Sequence, residues 1–475
     1  MLSFPTPFST RGAQIIDANG DPVILKGVNW FGMETDVHIP HGLAFRDYID
    51  MLTQIKSLGF NLIRFPFSVN ALRSSYIGWV NYSIGSNKDF QGKQPIEAMD
   101  IIIKEAEKQG LFILLDCHRL NDDRIPELWY GDGFSEADWI NTWIMLAQRY
   151  RYQKNIIGAD LKNEPHGRAR WGNDDQSTDW RLAAERCGNA ILSVNPDWLI
   201  IVEGVGNVPN QKLSGHWWGG NLENVGNYPV RLNLPNKLVY SPHEYGEGVH
   251  PASWFSESDF PDNLYERWEV GFHYIARQEI APILIGEFGG FKVDTNSKEG
   301  IWQRQFIDFI AENSLSFSYW SWNPNSSDTG GVLLDDWNSV DKSKLQVLNK
   351  ILINDRPTTP ATPPSPDPIL NPDSQVEVKV VILSEWNNGF CLDFHIINNS
   401  NTDISNWEIT FKANEAQIYN SWNGAFTNLG SIYQLIADKD WARVIKAGST
   451  LKGLGYCANK LGTNYKPSEI QFRVK

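Results

Sequence analysis

Along the first 350 residues the hydrophobic positions change period again and again. Short, nearly continuous apolar runs recur roughly every 40 residues. They read PVILKGVNW (22–30), NLIRFPF (61–67), LFILLDCH (111–118) and IIGADLKNE (156–164), then WLIIVEG (198–204), KLVYSPHEY (237–245), PILIGEFG (282–289) and FSYWSW (317–322). Between them, stretches such as RDYIDMLTQIKSLG and PIEAMDIIIKEAEKQG carry apolar residues at helical spacing and end on glycine. Eight buried strands alternating with helices predict an α/β fold with a parallel sheet, closed as a (β/α)8 barrel.

The last hundred residues follow another rhythm. VEVKVVIL, FCLDFHIINN, WEITFKA and EIQFRVK alternate or run β-branched between Asn, Gly and Ser turns. They predict a small antiparallel β-sandwich. RPTTPATPPSPDPILNPD joins the two parts, and its seven prolines suit an extended linker rather than a core. The expected division is a barrel over 1–355, a linker over 356–375 and a sandwich over 376–475.

Composition narrows the function. A net charge of −14 argues against nucleic acid or an anionic membrane as partner, since both need basic patches. The sandwich holds 10 Lys+Arg against 9 Asp+Glu, so the acidity resides upstream. No apolar run approaches the ~20 residues that span a bilayer. The start, MLSFPTPFST, has no basic segment followed by an apolar one. That fits a cytosolic protein or a secreted chain in its mature form, and the Pro/Thr/Ser linker favours the secreted reading. Twenty Trp, beside 16 Tyr and 23 Phe, exceed ordinary core packing and suit sugars, whose ring faces are apolar and whose edges are polar. The four cysteines do not fix a pairing, and none has zinc-site spacing.

Nearly every predicted strand finishes on a residue capable of chemistry or recognition: Arg64, His118, Asn163 with Glu164, Glu203, His243 with Tyr245, Glu287 and Trp322. In a barrel those ends converge on one face, where active sites sit. A lone polar strand end can simply meet water; so many together point to a site. Glu164 and Glu287, on the fourth and seventh strands, have no adjacent metal ligands. Two facing carboxylates are the minimum machinery of glycoside hydrolysis, one protonated and one ionised. Arg64 and Tyr245 are suited to keep one of them charged.

DLKNEPHG, LIGEFGG, IRFPFS, LLDCHR and YSPHEYG together closely resemble glycoside hydrolase family 5, in particular bacterial endo-β-1,4-glucanases. GVNWFGMET, DWRLAAERCGNAILSVNP, HWWGGN and SYWSWNPNSSDTGG extend the likeness over residues 10–350. The resemblance implies a retaining double displacement with Glu164 as acid/base and Glu287 as nucleophile. It also implies that Asn163 meets the sugar 2-hydroxyl, that Arg64 and Tyr245 touch Glu287, and that His118 and His243 line the cleavage point. Trp322 would be a stacking floor, and Trp218 and Trp217 further cleft candidates. Glu203 stays open between a structural role and a place in the site. Two positions depart from the relatives: Ala44 follows HGL where an aromatic is usual, and Cys117 stands where a basic residue is common. Cys117 and Cys187 are expected as free, buried thiols.

The tail, through SEWNNGF, ISNWEITF, YNSWNGAF and KDWARVIKAGSTLKGLGY, resembles a family 2 cellulose-binding module. The likeness implies a flat exposed strip of Trp386, Trp422 and Trp441, with Trp407 in the core. Cys391 and Cys457 lie within strands rather than near the termini, and whether they bond stays open. The expectation is a secreted, monomeric bacterial endoglucanase that acts on cellulose and needs no metal or organic cofactor. The alternatives are a β-mannanase or xyloglucanase of the same family, or a cellulose-binding protein with an inactive barrel.

Overall fold

The computed structural model describes residues 2–353, 376–386, 388–430 and 432–474. These fall into two compact units, 2–353 and 376–474, each taken here by itself. The predicted linker lies outside the described residues.

In the first unit eight parallel strands follow one another around a ring: β1 (Lys26–Asn29), β2 (Leu62–Ser68), β3 (Phe112–Arg119), β4 (Ile156–Asp160), β5 (Leu199–Glu203), β6 (Leu238–Ser241), β7 (Leu284–Ile285) and β8 (Ser316–Tyr319). β8 pairs with β1, and parallel bridges Tyr240–Ile283 and His243–Glu287 join β6 to β7, so the barrel closes. All eight predicted strands are present, but several stop early. Asn163, Glu164, His243, Tyr245 and Glu287 stand within a few residues beyond a strand end, where only the His243–Glu287 bridge continues the ladder among them. Helices cross between most strands, starting where the sequence provides caps. Ser135 accepts from the Asp138 amide while the Asp138 carboxylate accepts from the Ser135 amide, opening the helix Glu136–Arg149. The crossover from β5 to β6 has no helix.

Alternation along each strand decides what fills the barrel. Ile63, Phe65 and Phe67 on β2 face outward into the layer shared with the helices. Leu62, Phe112, Leu114, Leu199, Ile201, Val239 and Leu284 face inward and pack with Phe8 from the N-terminal segment. Further along the strands, positions of that same inward parity hold Arg64, Asp116 and Glu203. The lower interior is therefore aliphatic and the upper interior ionic. No helix among the described residues is long and apolar enough to cross a membrane.

The second unit packs two antiparallel four-stranded sheets face to face. One holds Val376–Trp386, Gly389–Asn398, Thr450–Lys460 and Ala416–Trp422 in that order; the other holds Gly424–Asn428, Tyr433–Ala437, Trp407–Lys412 and Ser468–Val474. Phe390, Leu392, Phe394, Ile409, Phe411, Leu454 and Tyr456 fill the space between them, and Trp407 joins that core as expected. Cys391 and Cys457 face each other in register and form a disulfide. Cys117 and Cys187 are free and buried.

Candidate active site

Arg64 is the hub of the upper barrel and is fully buried. Its Nε donates to Asp160 at 2.8 Å, Nη1 to Glu287 at 2.6 Å and Asn29 at 3.0 Å, and Nη2 to Asn163 at 3.0 Å and Glu203 at 3.1 Å. Asp116 lies 3.2 Å from Nη1. A buried guanidinium survives only when its donors are matched and its charge is balanced, and this cage does both. The oxygens of Asp116, Asp160 and Glu203 lie within 4.8 Å of one another, a spacing that could hold a cation. Arg64 contacts all three carboxylates and is the cation they hold.

Glu287 accepts from Arg64 on one oxygen and from the Tyr245 hydroxyl at 2.6 Å on the other. Burial alone would raise its pKa. The charges of His243 and Arg64, together with the Tyr245 hydrogen bond, outweigh burial and hold the carboxyl below its ordinary value. Glu164 stands opposite, and an oxygen of each lies within 4.8 Å of the other. Burial, joined by the charge of Glu287 and opposed by His243, pushes Glu164 up to about 7. Two carboxyls in one cleft are thus driven apart by their surroundings, one toward the ion and the other toward the acid.

The chain pins Glu164 in an unusual backbone conformation, with φ at +50°. Its amide donates to Glu203 Oε2 at 2.7 Å, and Pro165 follows. Gly219 must be glycine beneath this turn. Its φ is +70°, and an added Cβ would fall 2.5 Å from Glu203 Oε2 and 3.3 Å from Glu164 Cα. His243 Nδ1 reaches Glu164 Oε1 at 3.0 Å, and Nε2 lies 3.3 Å from Glu203 Oε1. Burial would discharge His243, but Glu203 and Glu287 prevail and raise its pKa well above the usual. Glu203, open in the sequence, therefore braces both the main chain of Glu164 and the ring against its carboxyl.

His118 behaves oppositely. Burial lowers its pKa well below the usual, leaving a neutral ring. Its Nδ1–H donates to Asp116 at 2.7 Å, and Nε2 accepts from Asn163 Nδ2 at 3.4 Å. Arg64 holds the other end of that amide, so Asn163 has one orientation.

The aromatic residues require corrections. Trp322 is fully buried in the core and has no face to offer a sugar. β8 ends at Tyr319, three residues earlier than Trp322, and the half-buried indole at the site is Trp320, stacked on His118 at 5.4 Å and 13°. Trp218 is 49 % exposed and lies flat on His166 at 3.6 Å, while His166 Nδ1–H donates to the Glu164 carbonyl. Trp217 is half-buried edge-on to Tyr245. In the sandwich the expected strip is also altered. Trp441 is 54 % exposed, Trp386 is half-buried, and Trp422 is 8 % exposed. Trp386 and Trp422 pack on the Cys391–Cys457 disulfide, which occupies the sheet face turned from the core, and Trp422 Nε1 donates to Asp393 at 3.3 Å.

Asp116, Asp160, Asn29 and Trp320 were not picked out from sequence. Alternation was the available signal for Asp116, which sits two residues before His118. The twin indoles of SYWSW carried no signal separating them.

A barrel whose mouth opposes two unequally poised carboxyls is the architecture of a glycoside hydrolase. The profile of Cellulase (glycosyl hydrolase family 5) matches residues 16–326, and that of the Cellulose binding domain matches residues 376–474. An endoglucanase of Paenibacillus polymyxa is 49 % identical over 345 residues, 73 % of this chain and 87 % of the relative. The major extracellular endoglucanase of Xanthomonas campestris pv. campestris is 38 % identical over 460 residues, covering 94 % and 93 %. Among solved structures, a hyperthermophilic endocellulase from the archaeon Pyrococcus horikoshii superposes with a TM-score of 0.69 at 44 % identity, covering 74 % of this chain and 100 % of that one. The chain belongs to glycosyl hydrolase family 5 and carries a cellulose-binding domain behind its barrel.

Proposed function

We propose that the barrel hydrolyses internal β-1,4-glucosidic bonds of cellulose and related β-glucans with retention of anomeric configuration. What supports this most is the carboxyl pair: oxygens within 4.8 Å, one group held ionised and the other held as an acid. Retention needs carboxyls about 5–5.5 Å apart, too close for a water to stand between them.

In this reading Glu287 attacks the anomeric carbon. The bond to the leaving oxygen breaks as Glu164 gives that oxygen its proton. Esterified Glu287 no longer carries charge, so the carboxyl of Glu164 becomes easier to ionise. It then takes a proton from water, whose oxygen displaces Glu287 from the sugar. Arg64 and Tyr245 hold Glu287 ionised for the first step and accept it back after the second. Asn163 meets the 2-hydroxyl, His118 and His243 line the cleavage point, and Trp320, not the buried Trp322, is the stacking floor.

Residues 1–355 are the catalytic domain in this proposal, 356–375 the tether and 376–475 the module that concentrates it on cellulose. The disulfide suits secretion into an oxidising medium, and the chain acts as a monomer. Reducing-end release from carboxymethylcellulose, mannan and xyloglucan tests the reading against Glu287→Gln. Release from the cellulose derivative, abolished in the variant, is expected. Release from mannan alone would overturn the substrate, and unchanged release in the variant would overturn the nucleophile.

A further inference from the structure

Beyond the carboxyl pair, a run of aromatic rings leads from Trp320 outward along the rim of the barrel. Trp320 stacks on Phe31 at 5.1 Å and 9°; Phe31 meets His41 at 5.3 Å; His41 meets Trp79 at 5.1 Å. Trp79 then stands edge-on to Phe45 at 5.6 Å and to Trp337 at 5.9 Å. These residues come from the segments after β1, β2 and β8, all on the C-terminal face where the carboxyls sit. The run therefore starts at the ring stacked on His118 and leads outward along the same face.

Its outer end is exposed at a cost. Trp79 is 43 % and Phe45 51 % solvent-accessible. Large aromatics left bare together, and continuous with a binding site, mark a surface that something covers. Trp79 is also held in place. Its backbone φ is +54°, a conformation non-glycine residues seldom adopt, and rings on three sides meet it at 83–88°. A ring fixed in orientation loses little freedom when a ligand settles on it. Ala44, in the first of these segments, has no ring to offer.

We propose that Trp79 is the stacking platform of a distal sugar subsite, which takes a glucosyl ring of the β-glucan chain several residues from the scissile bond. This inference rests on the glucanase reading and adds chain-length preference to it: substrates long enough to reach Trp79 gain, and shorter ones do not.

The test compares kcat/KM on cellohexaose and cellotriose for the intact chain, Trp79→Ala and Trp79→Leu. Leu keeps apolar packing against His41 and Phe45 without a flat face, so it remains informative if the Ala variant folds poorly. The hexaose-to-triose ratio is expected to fall on the order of tenfold in Trp79→Leu, mainly through KM, as the loss of one half-covered aromatic face implies. An unchanged ratio in a Trp79→Leu protein with the intact chain's Tm overturns the platform and leaves the glucanase reading standing. An intact chain that cleaves neither oligosaccharide overturns both.

Discussion

The two halves of the barrel interior are built on the same strands and the same inward face, yet they are made of opposite materials. Below, Leu62, Leu114, Leu199 and Ile201 close an aliphatic plug with Phe8. Above, within a few residues on the same strands, Arg64 is ringed by Asp116, Asp160, Glu203 and Glu287. The plug gains stability from burial. The ionic layer gains little, because desolvating so many charges cancels much of their attraction. Its return is chemical: fixed dipoles and charges hold two carboxyls at different proton affinities. Stability and reactivity are thus separated along one short axis, and each half can be broken without the other.

The largest expected effect lies in the upper half. Glu287→Gln should lower kcat on the order of 10⁴-fold or more, as removed nucleophiles do, while thermal denaturation shows a Tm no lower than the parent's. Arg64→Met should injure both properties, because four carboxylates lose their shared partner. Removing one side of a buried pair costs about 3–5 kcal/mol, readable from urea denaturation, and activity should fall with it. Leu114→Ala, two residues below Asp116, should cost about 2–5 kcal/mol in the same measurement yet keep kcat per folded molecule close to normal. Were it to lose activity in proportion, the two halves would not be separable.

The pH profile sharpens the contrast within the upper half. In the proposed cycle Glu164 starts protonated, and its surroundings push its pKa up to about 7, so kcat/KM should decline as pH rises through that value. In the same cycle Glu287 attacks as the ion, and its pKa is held below the ordinary glutamate value, so the acid limb should lie below that of a free glutamate. Glu203→Gln is the mildest change. The amide can still accept from the Glu164 main chain but no longer balances His243. A kcat loss on the order of tenfold with little change in KM is expected, as for a lost supporting residue around a reacting group.

Much of this was legible in the sequence because strand ends in a barrel must converge. Arg64, His118, Asn163, Glu164, Tyr245, His243 and Glu287 all meet at one mouth. Glu203 was not resolved, since its importance lies in a bond to the Glu164 amide that no side-chain pattern encodes. Asp116 and Asp160 read as strand residues because an inward carboxylate looks like any other polar position until its arginine is located across the ring. The apolar run of SYWSW puts the strand end at Trp322, whereas the strand stops at Tyr319, and that three-residue difference exchanges a buried indole for the half-buried Trp320. In the sandwich, Trp422 was expected at the surface. A disulfide between neighbouring strands gave it and Trp386 something to pack on, and pairing of that kind cannot be read from spacing.

Proton NMR of the first product formed from a cellooligosaccharide, read before mutarotation, tests the close carboxyl pair most directly. The β-anomer should appear first, because Glu287 attacks from the face opposite the leaving group and water then enters on the face that group left. Initial release of the α-anomer would mean that water enters between the carboxyls, and that Glu287 is not the nucleophile.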